Sequence, residues 1–120
     1  MNVYDKWSDP EMGKAYEIAN NAQYSSYEEY MEINNNEDFR WAISKIIGYY
    51  EGVGVLVREG LVDIRLVALL MTGSTLKFWS KLEPYIGEMR SADYPRVAIE
   101  TEYLVNRLRD YIKDHPEIEA

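Results

Sequence analysis

Cysteine is missing from this 120-residue chain. Disulfide stapling, thiolate metal sites and a cysteine nucleophile are excluded together. Histidine is nearly missing: His115 is the only one, and it stands just before Pro116 where the last periodic segment ends. A general-base histidine needs a pocket and a partner. The plainer reading is a solvated residue whose charge suits a helix C-terminus. Long apolar runs are absent as well. The longest uncharged stretch, residues 66–76, is far too short to span a bilayer, which takes about 20 residues. The opening Met1-Asn2-Val3-Tyr4-Asp5-Lys6-Trp7 has no apolar segment of a secretory signal. The sequence therefore points to the cytoplasm and to no membrane insertion.

Basic excess is lacking too. Thirteen Lys and Arg face twenty-one Asp and Glu, for a formal net charge of −8. Phosphate backbones and anionic lipid both favour a basic face, so direct nucleic-acid binding and lipid docking are disfavoured. The imbalance is local. The first forty residues hold nine acids against three bases, the remaining eighty twelve against ten. What the chain does have is apolar content, 47%, with eleven tyrosines and three tryptophans. That is enough for one domain with a core, read here as residues 1–120 with a short polar tail at 116–120.

The apolar spacing is helical throughout, with neither strand-like alternation nor an internal repeat. Ser8-Asp9-Pro10-Glu11 reads as a helix start, with Asp9 as cap and Pro10 at the first position. This first helix carries Met12, Ala15, Tyr16 and Ala19 on one stripe. Ser26 and Glu29 have capping-box spacing and open a short second helix, which Asn34-Asn35-Asn36 ends. A third helix spans about 37–59, apolar over more than one side, and reads as a buried central helix. Gly48, Gly52 and Gly54 lie inside it, each costing about 1 kcal/mol of helix propensity. Close approach of a neighbouring helix to the face shared by Gly48 and Gly52 is the expected compensation. Gly60 stops the helix, with Leu61 as its hydrophobic contact, and Asp63 caps a short fourth helix over 64–71. Thr72-Gly73-Ser74 is expected to break it. A fifth helix, from 75 to 89 or 90, should kink over 80–84 because Pro84 lies mid-pattern. Tyr94-Pro95 should start the sixth, which Asp114-His115-Pro116 ends. The fold class is all-α: a compact bundle of five to six helices.

Standard chemistry finds little purchase. The glycines do not form a phosphate loop, and no nucleophile elbow, Ser–His–Asp pattern, Glu-x-x-His pair or EF-hand spacing is present. Glu28, Glu29 and Glu32 could hold Ca²⁺ or Mg²⁺ through carboxylates alone, but a solvated acidic face is the plainer reading. No metal or cofactor is expected. Two clusters stand out. Tyr24, Tyr27 and Tyr30 with Glu28, Glu29 and Glu32 form a candidate interface, since tyrosine is enriched at hot spots; a plain domain edge explains them equally well. Glu51 lies in the buried-looking helix and must be paired or shifted. Arg58 and Arg65 are its candidate partners, in a structural ion pair rather than a catalytic acid.

The motifs Ser8-Asp9-Pro10-Glu11-Met12 with Lys14-Ala15, then Tyr49-Tyr50-Glu51-Gly52-Val53-Gly54-Val55-Leu56-Val57, then Gly60-Leu61-Val62-Asp63, occur in one order. Phe78-Trp79, Glu83-Pro84-Tyr85-Ile86 and Arg90 follow. In this order and spacing the chain resembles a family of small prokaryotic all-helical proteins catalogued only as a domain of unknown function. The resemblance implies a helical fold and marks Glu51, Trp79 and Arg90 as family-typical positions. It implies no activity. Many members carry a membrane helix ahead of this domain; none is visible here, so tethering is not carried over.

Two functional expectations follow. The first is a non-enzymatic interaction or regulatory domain that binds another protein or itself, a homodimer included. One version is an acidic inhibitor whose N-terminal segment occupies a basic groove. The alternative is a small-molecule sensor or an unfamiliar enzyme with a pocket near Glu51, Trp79 and Arg90.

Overall fold

Five α-helices form, and no strand occurs among the described residues: α1 (Pro10–Asn21), α2 (Tyr27–Ile33), α3 (Glu37–Arg58), α4 (Ile64–Ala92) and α5 (Ile99–Asp114). A 3₁₀ turn, Pro116–Ile118, follows. The structure is a computed structural model and describes residues 10–92 and 94–118. The all-helical expectation holds. The chain divides into two compact units, residues 1–49 and 50–120, with the boundary inside α3.

In the first unit, α1 buries Met12, Ala15 and Ala19, as its stripe predicts. The proposed Asp9 cap lies outside the described residues. The start of α2 follows the capping-box logic. Ser26 Oγ accepts from the Glu29 amide at 3.1 Å, while the Glu29 carboxylate reaches back to the Ser25 amide at 3.0 Å. The asparagine run does two jobs. Asn34 closes α2, in an ordinary right-handed conformation. Asn36 Oδ1 accepts from the Phe39 amide at 3.0 Å and so caps α3. Phe39 is buried and meets Tyr30 and Tyr24 edge-on, with centroids 5.9 and 6.3 Å apart. Trp41, one of the apolar residues at helical spacing in α3, is 37% exposed, with the Lys14 ammonium 5.6 Å from its ring centroid.

In the second unit, α3 buries Tyr50, Val53 and Val57. Gly60 adopts φ +76 and ends the helix in a Schellman motif. The Leu61 amide donates to the Leu56 carbonyl at 2.8 Å and the Gly60 amide to Val57 at 3.0 Å. The expected hydrophobic contact of Leu61 does not bury it, since that side chain is 73% exposed. Asp63 caps α4 by accepting from the Arg65 amide at 2.9 Å.

The anticipated fourth and fifth helices are joined as α4. The departure from helical dihedrals is at Met71 (φ −147, ψ 28), one residue ahead of the expected Thr72-Gly73-Ser74 break. Hydroxyls bind the carbonyls there. Thr72 Oγ1 donates to Ala68 at 2.6 Å, Thr75 Oγ1 to Met71 at 2.6 Å and Ser74 Oγ to Met71 at 3.3 Å. Side-chain donors thus converge on the carbonyls at and just before the kink. No such departure occurs over 80–84: Pro84 lies inside a helix whose dihedrals there remain helical. Beyond the kink Phe78, Trp79, Leu82, Ile86 and Met89 are buried, Phe78 stacking on Tyr50 at 5.6 Å. Along α5, which packs on α4, Thr101, Leu104, Val105 and Leu108 are buried.

The last helix starts later than Pro95 suggests. Residues 95–98 form a turn and Ala98 takes the left-handed conformation (φ 57), so α5 begins at Ile99. Ala98 offers no side-chain cap. The amides of the first turn must find acceptors elsewhere, and that requirement builds the site.

Candidate functional site

The first turn of α5 is held from three directions. Glu51 of α3 supplies the missing cap. Its Oε1 accepts from the Thr101 amide at 2.6 Å and from the Thr101 hydroxyl at 2.7 Å. Thr101 is fully buried, so both donors need that one oxygen. A carboxylate at a helix N-terminus is favoured by the orphan amides and by the helix dipole. A cap of this kind contributes about 1 kcal/mol. On one side of Thr101, Glu100 accepts from Arg58 Nε at 2.9 Å. On the other, Glu102 accepts from Arg90 Nη1 at 3.3 Å. Arg90 Nε also donates to the Val97 carbonyl at 3.1 Å, tying α4 to the turn that precedes α5.

Gly54 permits this arrangement. A Cβ there would lie 2.8 Å from the Glu100 carbonyl carbon and collide with its oxygen. The expectation of a close neighbour was right for α3 but placed on the wrong face. Gly48 and Gly52 look onto open space, and Gly54 is the buried contact. Helical spacing explains the miss: Gly52 and Gly54 point to different sides of one helix.

The expected ion pair from Glu51 to Arg58 or Arg65 does not form. Glu51 is spent on Thr101, and Arg58 binds Glu100 and Glu59. Arg65 turns to the Tyr111 hydroxyl at 2.8 Å. Of Glu51, Arg58, Arg65, Trp79 and Arg90, the residues that the sequence suggests for a buried ion pair or a pocket, Glu51, Arg58 and Arg90 converge on three successive residues of α5. Trp79 is 1% exposed in the core, and Arg65 stands apart. Sequence reasoning missed Glu100, Thr101 and Glu102. The available signal was a threonine on an otherwise apolar stripe, between Val97 and Leu104.

Chemically this arrangement is a clamp. The Glu51 oxygen near Thr101 is saturated and the two arginines are engaged with carboxylates, although the Nη2 of Arg90 is buried with no hydrogen-bond partner. An open, shallow depression lies on α4, lined by Pro84, Gly87, Glu88, Ser91 and Ala92, none of them in the clamp. No group of three or more His, Asp or Glu arranged to hold a metal ion occurs among the described residues. His115 is half-buried, its ring stacked on Tyr111 at 4.0 Å and its Nδ1 2.9 Å from the Tyr111 carbonyl.

The tyrosine cluster of the first unit is turned largely upon itself. Tyr30 is buried and meets Tyr24 at 5.2 Å and Tyr27 at 6.3 Å. Burial pushes the Tyr30 phenol well above its ordinary range, and the two neighbouring phenols add to that. Tyr24 and Tyr27 are half-buried. Glu28, Glu29 and Glu32 are exposed, with Glu29 committed to the α2 cap.

A more open apolar surface lies on the opening segment of α4. Leu66, Leu69 and Leu70 are 44%, 57% and 43% exposed, while Ile64, Val67, Ala68 and Met71 are buried. A segment that reads as apolar on all sides thus has one buried side and one open side.

A family model described as Domain of unknown function (DUF4760) matches residues 1–108. The chain belongs to that family. The DUF4760 match takes in Glu51, Trp79 and Arg90, together with Gly54 and the three α5 residues that the clamp engages. No curated protein and no solved structure matches the chain. Among the described residues no helix is long and apolar enough to cross a membrane.

Proposed function

We propose that this domain is a non-enzymatic interaction module that binds protein through the exposed leucine face of α4. The observation that carries this reading is the exposure of Leu66, Leu69 and Leu70 on one helical side. Single exposed leucines are ordinary, whereas a cluster on one face marks an interaction site. The state of the clamp supports the same reading over the pocket alternative, because Glu51 and Arg58 have structural partners and Arg90 binds Glu102 and the Val97 carbonyl, leaving only its buried Nη2 without a hydrogen-bond partner. A photoreactive residue placed at position 69 should yield a covalent protein adduct in cells. The reading fails if no adduct of any kind forms.

A second reading, the acidic inhibitor, draws on different residues. Glu28, Glu32, Glu37 and Asp38 are all exposed in the first unit. They present negative charge with no internal partner required of it, which suits a basic groove.

A further inference from the structure

We propose that the opening of α4, residues 64–71, is a separately opening segment, and that Tyr111 and His115 at the end of α5 are the latch that holds it closed. Two observations bound the segment. At its far end Met71 leaves helical dihedrals (φ −147, ψ 28), which interrupts the regular backbone of α4. At its near end the chain turns at Gly60 (φ +76) and restarts under the Asp63 cap. Proteins open locally in contiguous cooperative units, and an interrupted backbone is a natural place for one to end.

Within the segment, Ile64, Val67, Ala68 and Met71 are buried and the three leucines are open. Burial of this kind is non-directional. Arg65 is the single side chain from Ile64 to Met71 with a strong hydrogen-bonding group, so a directed side-chain tie can run only through it. Its Nη1 donates to the Tyr111 hydroxyl at 2.8 Å. The phenol is itself held in place. The His115 ring stacks on it, with centroids 4.0 Å and planes 12° apart, and His115 Nδ1 lies 2.9 Å from the Tyr111 carbonyl. The 3₁₀ turn that follows is tied to the same residue, since the Ile118 amide donates to the His115 carbonyl at 3.0 Å.

The latch lies outside the family domain. The family match ends at residue 108, whereas the clamp on α5 and the core residues Trp79, Leu82, Leu104, Val105 and Leu108 fall within it. Loss of the latch should thus leave the core in place. Release has a defined consequence. A helix as short as this segment is marginal in water, so once undocked it melts rather than swinging out intact. Melting exposes Ile64, Val67 and Ala68 in addition to the leucines. The latch thereby sets how much apolar surface this end of α4 shows, whatever binds there.

Native-state hydrogen exchange of the full chain, read by mass spectrometry, tests this by comparing residues 66–71 with 76–89. The amides of 66–71 should exchange faster than those of 76–89. Tyr111→Phe removes the acceptor and Arg65→Met the donor. Each should speed exchange over 66–71 about two- to fivefold, with 76–89 and the helical circular-dichroism spectrum unchanged. The two combined should add nothing further, because both remove the same bond. His115→Ala should act in the same direction, and His115→Phe, which keeps a ring to stack, should restore most of the protection. A segment that exchanges no faster than 76–89, or that is indifferent to both Tyr111→Phe and Arg65→Met, overturns the proposal. So does acceleration shared equally by 76–89, which marks a global loss of stability, and so do additive effects of the two variants.

Discussion

Three glycines within seven residues of α3 look alike in sequence and differ completely in surroundings. Gly54 lies against the Glu100 backbone, whereas Gly48 and Gly52 face open space. The difference fixes the sign of substitution. Gly54→Ala forces backbone against backbone, and overpacking of this kind costs about 1–3 kcal/mol. Gly52→Ala adds a methyl to nothing and removes backbone freedom from the unfolded chain, which stabilises by about 0.5–1 kcal/mol. Urea denaturation of both variants checks the pair; a shared sign would contradict the geometry. Glu51 teaches the same lesson. The sequence shows a carboxylate in a buried-looking helix, and pairing it with an arginine is the economical reading. Its true partners are a backbone amide and a hydroxyl fifty residues away. They are exposed to it only because Ala98 offers no cap of its own. Local spacing contains nothing about that vacancy.

At the scale of elements, the chain's own punctuation was legible where the deciding chemistry was local. The Ser26–Glu29 pair, the Asp63 cap and the Gly60 stop all act within a few residues, and each operates as its spacing implies. Where a distant contact decides, the local signal misleads. Pro95 is a sound first residue for a helix, yet α5 begins at Ile99, and the Arg90 bond to the Val97 carbonyl holds the intervening turn. Pro84 is the converse case. It is a strong breaker, yet the helix continues through it while the dihedral break sits at Met71. Proline cannot donate to the carbonyl four residues back, so the helix carries the full cost of that missing bond. Pro84 is exposed and its backbone conformation suits alanine. Pro84→Ala should therefore raise the urea midpoint, stabilising the protein by about 1–3 kcal/mol. A loss of stability would mean that the ring contributes packing worth more than the restored bond.

Across the whole molecule, charge and apolar surface are divided between different parts of the chain. The first forty residues hold nine acids and three bases, and the exposed leucines of α4 fall in an uncharged stretch outside them. An acidic excess of this kind opposes folding through self-repulsion, because the unfolded chain spreads the same charges further apart. Glu32 is the cleanest probe, since it is exposed and lies beyond the first turn of α2, where Glu28 suits the helix dipole and Glu29 is needed as a cap. Glu32→Lys should raise the melting temperature at low salt by a degree or two, equivalent to about 0.3–0.5 kcal/mol. The gain should vanish in high salt, where the repulsion it relieves is already screened. Thermal melts in low and high NaCl check both halves. A gain that persists in high salt would point to altered helix packing instead of charge. A gain that does vanish in high salt marks the acid at position 32 as a cost to the fold, and residues kept at a cost to stability are characteristic of binding surfaces. The acidic-inhibitor reading accordingly requires one more property of the same variant: a better-folded protein that has lost a basic partner. If the reversed protein is stabilised and binds as before, the acidic segment is not the binding surface, and the leucine face is left as the site of contact.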